Sequence, residues 1–192
     1  PSDGYNLDTI HKYFSNDEIP VLVQKIYSLF KSKKFQDKYD KLCGFIIQKF
    51  HDSDTKFQSI PSIRPVNGGY INSGFGYRND PFTSKPRFHY GQDITVPSGT
   101  NIYAPADGVV KYSARQGGFG KVIKLDHGYG YRTIFAHLSK FYVKWGQKVK
   151  RGDLIGKSGN TGRSAGPHLH YEVHRNGVPQ NPLDYFFSGY IK

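Results

Sequence analysis

Residues 164–177 read SAGPHLHYEVHRNG, and this stretch predicts a β-strand that carries two histidines on one face. Side chains on a strand point alternately to its two faces. The apolar face would hold Leu169, Tyr171 and Val173, and the polar face His168, His170, Glu172 and His174. An α-helix would instead place residues i and i+2 on widely separated faces. If His168 and His170 act together, they therefore act from a strand.

The residues around this stretch predict a domain built from many short strands. After Pro61, glycine, proline and asparagine separate short runs rich in β-branched and aromatic residues. These runs include VVKYS (109–113), IKLDHG (123–128) and RTIFAH (132–137). Such a pattern is typical of strands joined by tight turns. We predict one all-β domain over residues 61–192.

The first 60 residues have a different pattern. Apolar residues between Asn16 and Gln58 recur at helical spacing, as in the stripe that runs from Phe35 to Phe50. Cys43, the single cysteine, lies on this stripe and is predicted to be a small core residue. We predict a helical accessory region over residues 1–60.

The charge is concentrated in the predicted β domain. The chain carries a formal net charge of +12, of which residues 1–60 contribute +1 and residues 61–192 contribute +11. So basic a surface predicts attraction to a polyanion, such as a nucleic acid, an anionic membrane or an acidic cell wall. We find no apolar run long enough to span a membrane and no signal peptide. Because the chain begins with proline and contains no methionine, we expect that a leader or anchor has been removed.

A third histidine, His89, and a nearby aspartate indicate a metal site. His89 stands in RFHYGQDIT, four residues before Asp93. A catalytic zinc ion takes three protein ligands, among them imidazole nitrogen and carboxylate oxygen, and keeps one position for water. His89, Asp93 and one of His168 and His170 would complete such a site. The HExxH signature of helical zinc peptidases is absent from the sequence.

Four motifs together resemble the lysostaphin-type, or LytM-like, zinc metallopeptidases, which are peptidoglycan endopeptidases. They are His89-x-x-x-Asp93, YAPADGVV (103–110), FAHLS (135–139) and GQKVKRGDLIGKSGNTGRSAGPHLHYEV (146–173). They occur in the family's order, and the resemblance extends from about Ile63 to Tyr185. It implies a small antiparallel β domain of the duplicated-hybrid-motif type, with a long groove and one zinc ion at its floor.

The resemblance assigns roles to five residues. His89, Asp93 and His170 match the zinc ligands, and His137 and His168 match the two catalytic histidines. Either catalytic histidine could take the proton of the attacking water or stabilise the oxyanion, and the sequence does not say which. Phe135 and Thr95-Val96 depart from the common family pattern, without touching a ligand or catalytic position.

Other polar residues near these motifs receive no catalytic role. His127 and His174 are predicted to be surface residues. Glu172 lies on the same strand face as the histidine pair and could orient a ligand, but it is not counted among the site residues. Trp145 and the many tyrosines are assigned nothing.

The resemblance predicts a zinc endopeptidase that cuts cross-bridges or stem peptides of peptidoglycan, outside the cytoplasm in the bacterial envelope. One alternative is a catalytically silent wall-binding module that regulates other wall hydrolases. Another is a nucleic-acid-binding protein, which only the charge supports and which we do not favour. For residues 1–60 we expect regulatory or dimer contacts, and we hypothesise that they restrain access to the site.

Overall fold

The computed structural model describes residues 54–81 and 83–186, which are built mainly of antiparallel strands. Residues 54–59 are helical and precede the sheets. The strands are β1 (Tyr70–Ser73), β2 (Gly76–Asn79), β3 (Pro86–His89), β4 (Gln92–Thr95), β5 (Asn101–Tyr103), β6 (Gly108–Gln116), β7 (Gly120–Gly128), β8 (Tyr131–Leu138), β9 (Lys140–Phe141), β10 (Lys148–Val149), β11 (Leu154–Lys157), β12 (His168–Arg175) and β13 (Val178–Gln180). Two 3₁₀ turns cover Gly117–Phe119 and Pro182–Tyr185. The mainly β class predicted from the sequence is confirmed.

The strand that carries the histidine pair lies inside the largest sheet. The order of that sheet is β1-β4-β12-β8-β7-β6-β10. The first half of β12 pairs with β4, and β13 continues the same edge beside the second half. β5, β11 and β9 form a second sheet, and β2 and β3 form a hairpin. β12 is therefore held on both sides, which fixes the direction of its side chains.

The core lies on one face of the large sheet. Leu169, Tyr171 and Val173 are fully buried there, as the alternation in the sequence predicted. They join Ile102 of β5 and Ile155 of β11 in one apolar cluster, so the three-stranded sheet covers this face. The opposite face of β12 is left to carry polar side chains.

A glycine allows the turn between β3 and β4 to approach β12 closely. A Cβ atom on Gly91 would lie 2.6 Å from the carbonyl oxygen of Tyr171 and 2.9 Å from Cε1 of His170. Any side chain at this position would push the turn away from the strand. Gly91 thus lets both ends of the His89-x-x-x-Asp93 motif reach His170.

The described residues from Lys56 onward belong to one compact unit. The chain before β1 already contacts the sheets, because Asp107 N donates to the Gln58 carbonyl at 3.0 Å and Val66 is buried in the core. Most of the predicted helical region 1–60, with Cys43, lies outside the described residues. The division at residues 60 and 61 stays a prediction.

In the part of the chain that the structure describes, no helix is long and apolar enough to cross a membrane.

Candidate metal centre and catalytic histidines

Three strands bring one imidazole, one carboxylate and a second imidazole to a common point. His89 ends β3, Asp93 lies in β4, and His170 lies in β12 directly opposite Asp93. Nδ1 of His170 is 2.8 Å from Oδ1 of Asp93 and 3.1 Å from Nε2 of His89. Nε2 of His89 is 3.2 Å from the same Asp93 oxygen. Tetrahedral zinc with bonds near 2.0 Å separates its ligand atoms by about 3.3 Å, so the three atoms fit such an ion.

Hydrogen bonds on the far side of each ring decide which nitrogen faces this point. His89 donates from Nδ1 to the carbonyl oxygen of Gly74 at 2.8 Å, which leaves Nε2 as the ligand atom. His170 donates from Nε2 to Oε1 of Glu172 at 2.8 Å, which leaves Nδ1. Such partners fix the tautomer and the orientation of a metal-binding histidine.

Glu172 joins two histidines through its two carboxylate oxygens. Besides His170, it accepts a hydrogen bond of 2.6 Å from Nε2 of His174. Burial by itself would raise the pKa of Glu172, but these two histidines outweigh it and lower that pKa to about 2. Glu172 is therefore ionised at neutral pH. Glu172 was left off the predicted site residues, although its place on the strand face of the histidine pair had indicated that it could orient a ligand.

A proton competes with a metal ion for Nδ1 of His170. Burial would lower the pKa of His170, but the carboxylates of Asp93 and Glu172 raise it to about 9. A proton on Nδ1 then occupies the position that a metal ion would take. Metal binding at this site must therefore release a proton from His170.

His137 and His168 lie beside the three ligand atoms. Their ring centroids are 4.7 Å apart, and that of His137 is 5.9 Å from that of His170. Each donates from Nδ1 to a backbone carbonyl at 2.8 Å, His137 to Thr161 and His168 to Gly166. Nε2 of each ring is left without a proton in the neutral form. Burial above all, with repulsion from His168 and His170, lowers the pKa of His137 to about 4 and keeps it neutral.

A β-bulge turns His137 toward the site. Phe135 pairs with Ile123 and Leu138 pairs with Lys121, so β8 uses one more residue than β7 over this interval. Phe135 and Leu138 both lie in the core, and His137 has a φ of 60°. Regular alternation would have placed His137 on the core face with Phe135. The bulge instead moves His137 off the core face, at a conformational cost of about 1 kcal/mol.

Thr161 supports this bulge from the loop before β12. Its hydroxyl donates to the Leu138 carbonyl at 2.9 Å and accepts from Lys121 N at 2.9 Å. It bridges β7 and β8 at the point where the bulge separates them. Its own carbonyl is the acceptor for His137. No pattern in the sequence identified Thr161.

The five predicted site residues line one cleft of about 590 Å³. Phe119 forms part of the wall, with its ring centroid 5.7 Å from that of His170. Three arginines also line the cleft and each contacts a carboxylate, Arg78 that of Asp93 and Arg87 and Arg163 that of Asp80. Thr95 faces this cleft, whereas Val96 is buried in the core.

The prediction of a surface position for His127 is wrong. The side chain is buried, donates from Nδ1 to the Asp107 carbonyl at 2.7 Å and accepts from the Thr133 hydroxyl at 2.8 Å. Burial lowers its pKa to about 4. His174 is half-buried because it reaches back to Glu172. Trp145 is exposed and is not part of the cleft wall.

Comparison with known proteins agrees with this geometry. The sequence model of peptidase family M23 matches residues 87–182 of this chain. The chain is 46% identical over 121 residues to the peptidoglycan DD-endopeptidase ShyA of Vibrio cholerae, a match that covers 62% of this chain and 28% of ShyA. This chain thus spans only 28% of the length of such curated relatives.

Two solved structures have the same fold. A zinc-containing peptidase of Vibrio cholerae superposes with a TM-score of 0.58 and 38% identity, over 61% of this chain and 37% of that one. The catalytic domain of lysostaphin from Staphylococcus simulans has a TM-score of 0.56 and 32% identity, over 61% of this chain and 91% of that one. The family model covers half of the 192 residues and includes all five predicted site residues. This chain belongs to peptidase family M23.

Proposed function

We propose that this chain is a zinc-dependent endopeptidase that hydrolyses peptide bonds of bacterial peptidoglycan, in its cross-bridges or stem peptides. One observation carries the proposal. Three ligand atoms lie within 3.2 Å of one another. Beside them, His137 and His168 each donate a hydrogen bond from Nδ1 to a backbone carbonyl.

His89, Asp93 and His170 would hold one zinc ion. The donor set suits zinc, and both imidazoles already have the partners that fix a ligand histidine. The similarity to a zinc-containing peptidase of Vibrio cholerae supports the choice of metal. When bound, zinc polarises the scissile carbonyl group and lowers the pKa of water toward neutrality.

His137 and His168 would move the protons. A neutral imidazole with Nδ1–H on a carbonyl can accept a proton at Nε2, hold it as an imidazolium and donate it to the leaving amine. The imidazolium can also stabilise negative charge on the carbonyl oxygen. Glu172 is an unsuitable base because both of its oxygens already accept from histidines. We assign proton transfer to the two histidines as a pair.

Peptidoglycan is the proposed substrate because of the relatives and the charge. ShyA is named as a peptidoglycan DD-endopeptidase. The +11 charge of residues 61–192 would attract an anionic envelope polymer and raise the rate of encounter. With this substrate, we also propose that the protein acts in the bacterial envelope, in the periplasm or outside the cell.

Digestion of purified sacculi tests this proposal. The full chain should release new muropeptides, identified by mass spectrometry, and the release should stop with a chelator, with His137→Ala and with His170→Ala. His127→Gln serves as the matched control, because His127 lies outside the cleft. Sacculus binding with bound zinc but no cleavage, across several wall types, would contradict the enzyme and favour the silent regulatory module.

We also propose that residues 1–60 restrain access to the cleft. The test compares the full chain with a chain that begins at Lys56. The cut is placed there because Arg151 donates to the carbonyls of Phe57 and Ile60. The shorter chain should cleave sacculi faster, with an unchanged melting temperature of the β domain. Equal or slower cleavage by a folded shorter chain would refute the restraint.

A further inference from the structure

Lys124 lies on the same sheet face as the candidate metal centre. Glu172 of β12 is directly opposite Ile134 of β8, which is opposite Lys124 of β7, which is opposite Tyr112 of β6. Directly opposed residues of antiparallel strands point to the same face. These opposed residues form one row across the sheet. The row begins at Glu172, which orients His170, and reaches Lys124 on β7 and Tyr112 on β6.

Two aromatic rings flank the Lys124 ammonium group. Nζ lies 5.9 Å from the centroid of the Phe119 ring and 5.5 Å from that of Tyr112. Phe119 is also the part of the cleft wall that contacts His170. The aromatic contacts hold the cation beside Phe119, just behind the cleft wall, and remove part of its hydration. Lys124 itself is not among the residues that line the cleft.

Lys124 differs from the other cations near the cleft in having no carboxylate partner among the described residues. Arg78, Arg87 and Arg163 each form an ion pair. The two acids that share the Lys124 face are also engaged, Asp126 with Arg132 and Glu172 with its two histidines. A half-buried ammonium without a counter-charge attracts an anionic group of a ligand.

We propose that Lys124 binds a carboxylate of the peptide substrate and selects substrates that carry one near the scissile bond. The proposal rests on the proposed peptidase function. Lys124 Nζ is 5.9 Å from the centroid of the Phe119 ring, which is 5.7 Å from that of His170, so the ammonium group lies at most about 12 Å from the His170 ring. An extended peptide advances about 3.4 Å per residue, so the carboxylate would belong to a side chain or branch within about three residues of the scissile bond. In peptidoglycan, the free carboxyl groups of the stem peptide supply this chemistry.

The test uses two cross-linked stem-peptide dimers that differ in one group. In one dimer the diamino acid has a free second carboxyl group, and in the other this group is a carboxamide. The full chain should cleave the free acid with a kcat/KM about fivefold higher. Lys124→Gln should remove the preference and Lys124→Arg should keep it. Lys148→Gln, an exposed lysine at the far edge of the sheet, is the matched control and should also keep it.

A binding measurement separates this proposal from the peptidase function. Calorimetry with the metal-free full chain and the same two dimers should show tighter binding of the free acid, lost in Lys124→Gln. Equal affinities, or a preference that survives in a folded Lys124→Gln, would overturn the role of Lys124. If the zinc-loaded chain cleaves neither dimer but the binding preference depends on Lys124, the subsite stands and cleavage of these peptide bonds is refuted.

Discussion

At the scale of single residues, the site depends on the ring nitrogens that face away from the cleft. Of the four histidines that line the cleft, His89, His137 and His168 donate from Nδ1 to backbone carbonyls, whereas His170 donates from Nε2 to Glu172. The choice of acceptor therefore decides whether Nε2 or Nδ1 is available to a ligand. Glu172 controls the one ring that presents Nδ1.

Glu172→Gln should lower zinc affinity by about 10- to 100-fold. The neutral amide binds the Nε2–H of His170 more weakly and no longer raises the basicity of the ring. Competition with a chelating indicator measures this effect. His174→Gln is the matched control and should lower affinity less, because it leaves the bond between His170 and Glu172 in place. Unchanged zinc binding by Glu172→Gln would contradict the orienting role.

His127 should make the domain less stable at acidic pH. Its pKa is about 4 in the folded chain, below the ordinary value of 6.5, so the unfolded chain binds the proton more readily. The contribution is complete above pH 6.5 and is lost as the pH falls toward 4. Each pKa unit corresponds to about 1.4 kcal/mol, so the loss reaches at most a few kcal/mol.

Thermal unfolding at pH 7.5 and pH 5 checks this prediction. His127→Gln should show a smaller difference in melting temperature between the two pH values than the unsubstituted chain. An identical difference in both proteins would mean that His127 does not titrate in this way.

At the scale of elements, one irregular strand determines where His137 lies. β8 is regular up to Phe135, and the bulge then moves His137 out of the core face. A loop residue, Thr161, stabilises the bulge by bonding to both strands. The position of a predicted catalytic group thus depends on contact between a strand and a loop that are distant in sequence.

Thr161→Val should lower kcat about tenfold or more and change KM little. Valine keeps the shape of threonine but cannot bridge Lys121 N and the Leu138 carbonyl, so the ring of His137 would lose its fixed position. Thr161→Ser keeps the hydroxyl and should restore most of the rate. Steady-state kinetics on a synthetic stem-peptide dimer measures both variants. Equal loss in the two would point to a general packing defect.

At the scale of the whole molecule, the candidate metal centre connects two sheets. His89 belongs to the hairpin of β2 and β3, whereas Asp93 and His170 belong to the large sheet. An ion bound to all three would link these parts in the folded state. Metal binding should therefore stabilise the β domain as well as serve catalysis.

Zinc should raise the melting temperature of the full chain by several degrees. At a free zinc concentration about 100 times Kd, the gain in unfolding free energy is about 2.7 kcal/mol. Differential scanning calorimetry with zinc and with a chelator measures the shift. His170→Ala should show no shift, whereas Lys148→Gln should shift like the unsubstituted chain. A zinc-independent melting temperature would contradict binding at this site.

The amino-acid sequence by itself determined the strand of the histidine pair and the candidate ligands. Alternation is a local property, so the apolar face of Leu169, Tyr171 and Val173 could be read from one strand and is confirmed. The spacing of His89 and Asp93, with one histidine of the HLH motif, indicated a metal site, and the family resemblance selected His170. The structure brings the ligand atoms of these three residues together.

The tertiary structure alone decided how those residues are supported. The burial of His127, the bridge from Thr161 and the isolation of Lys124 all depend on neighbours contributed by other strands and loops. Such contacts leave no local periodicity in a sequence, because they join residues that only the folded sheet places side by side.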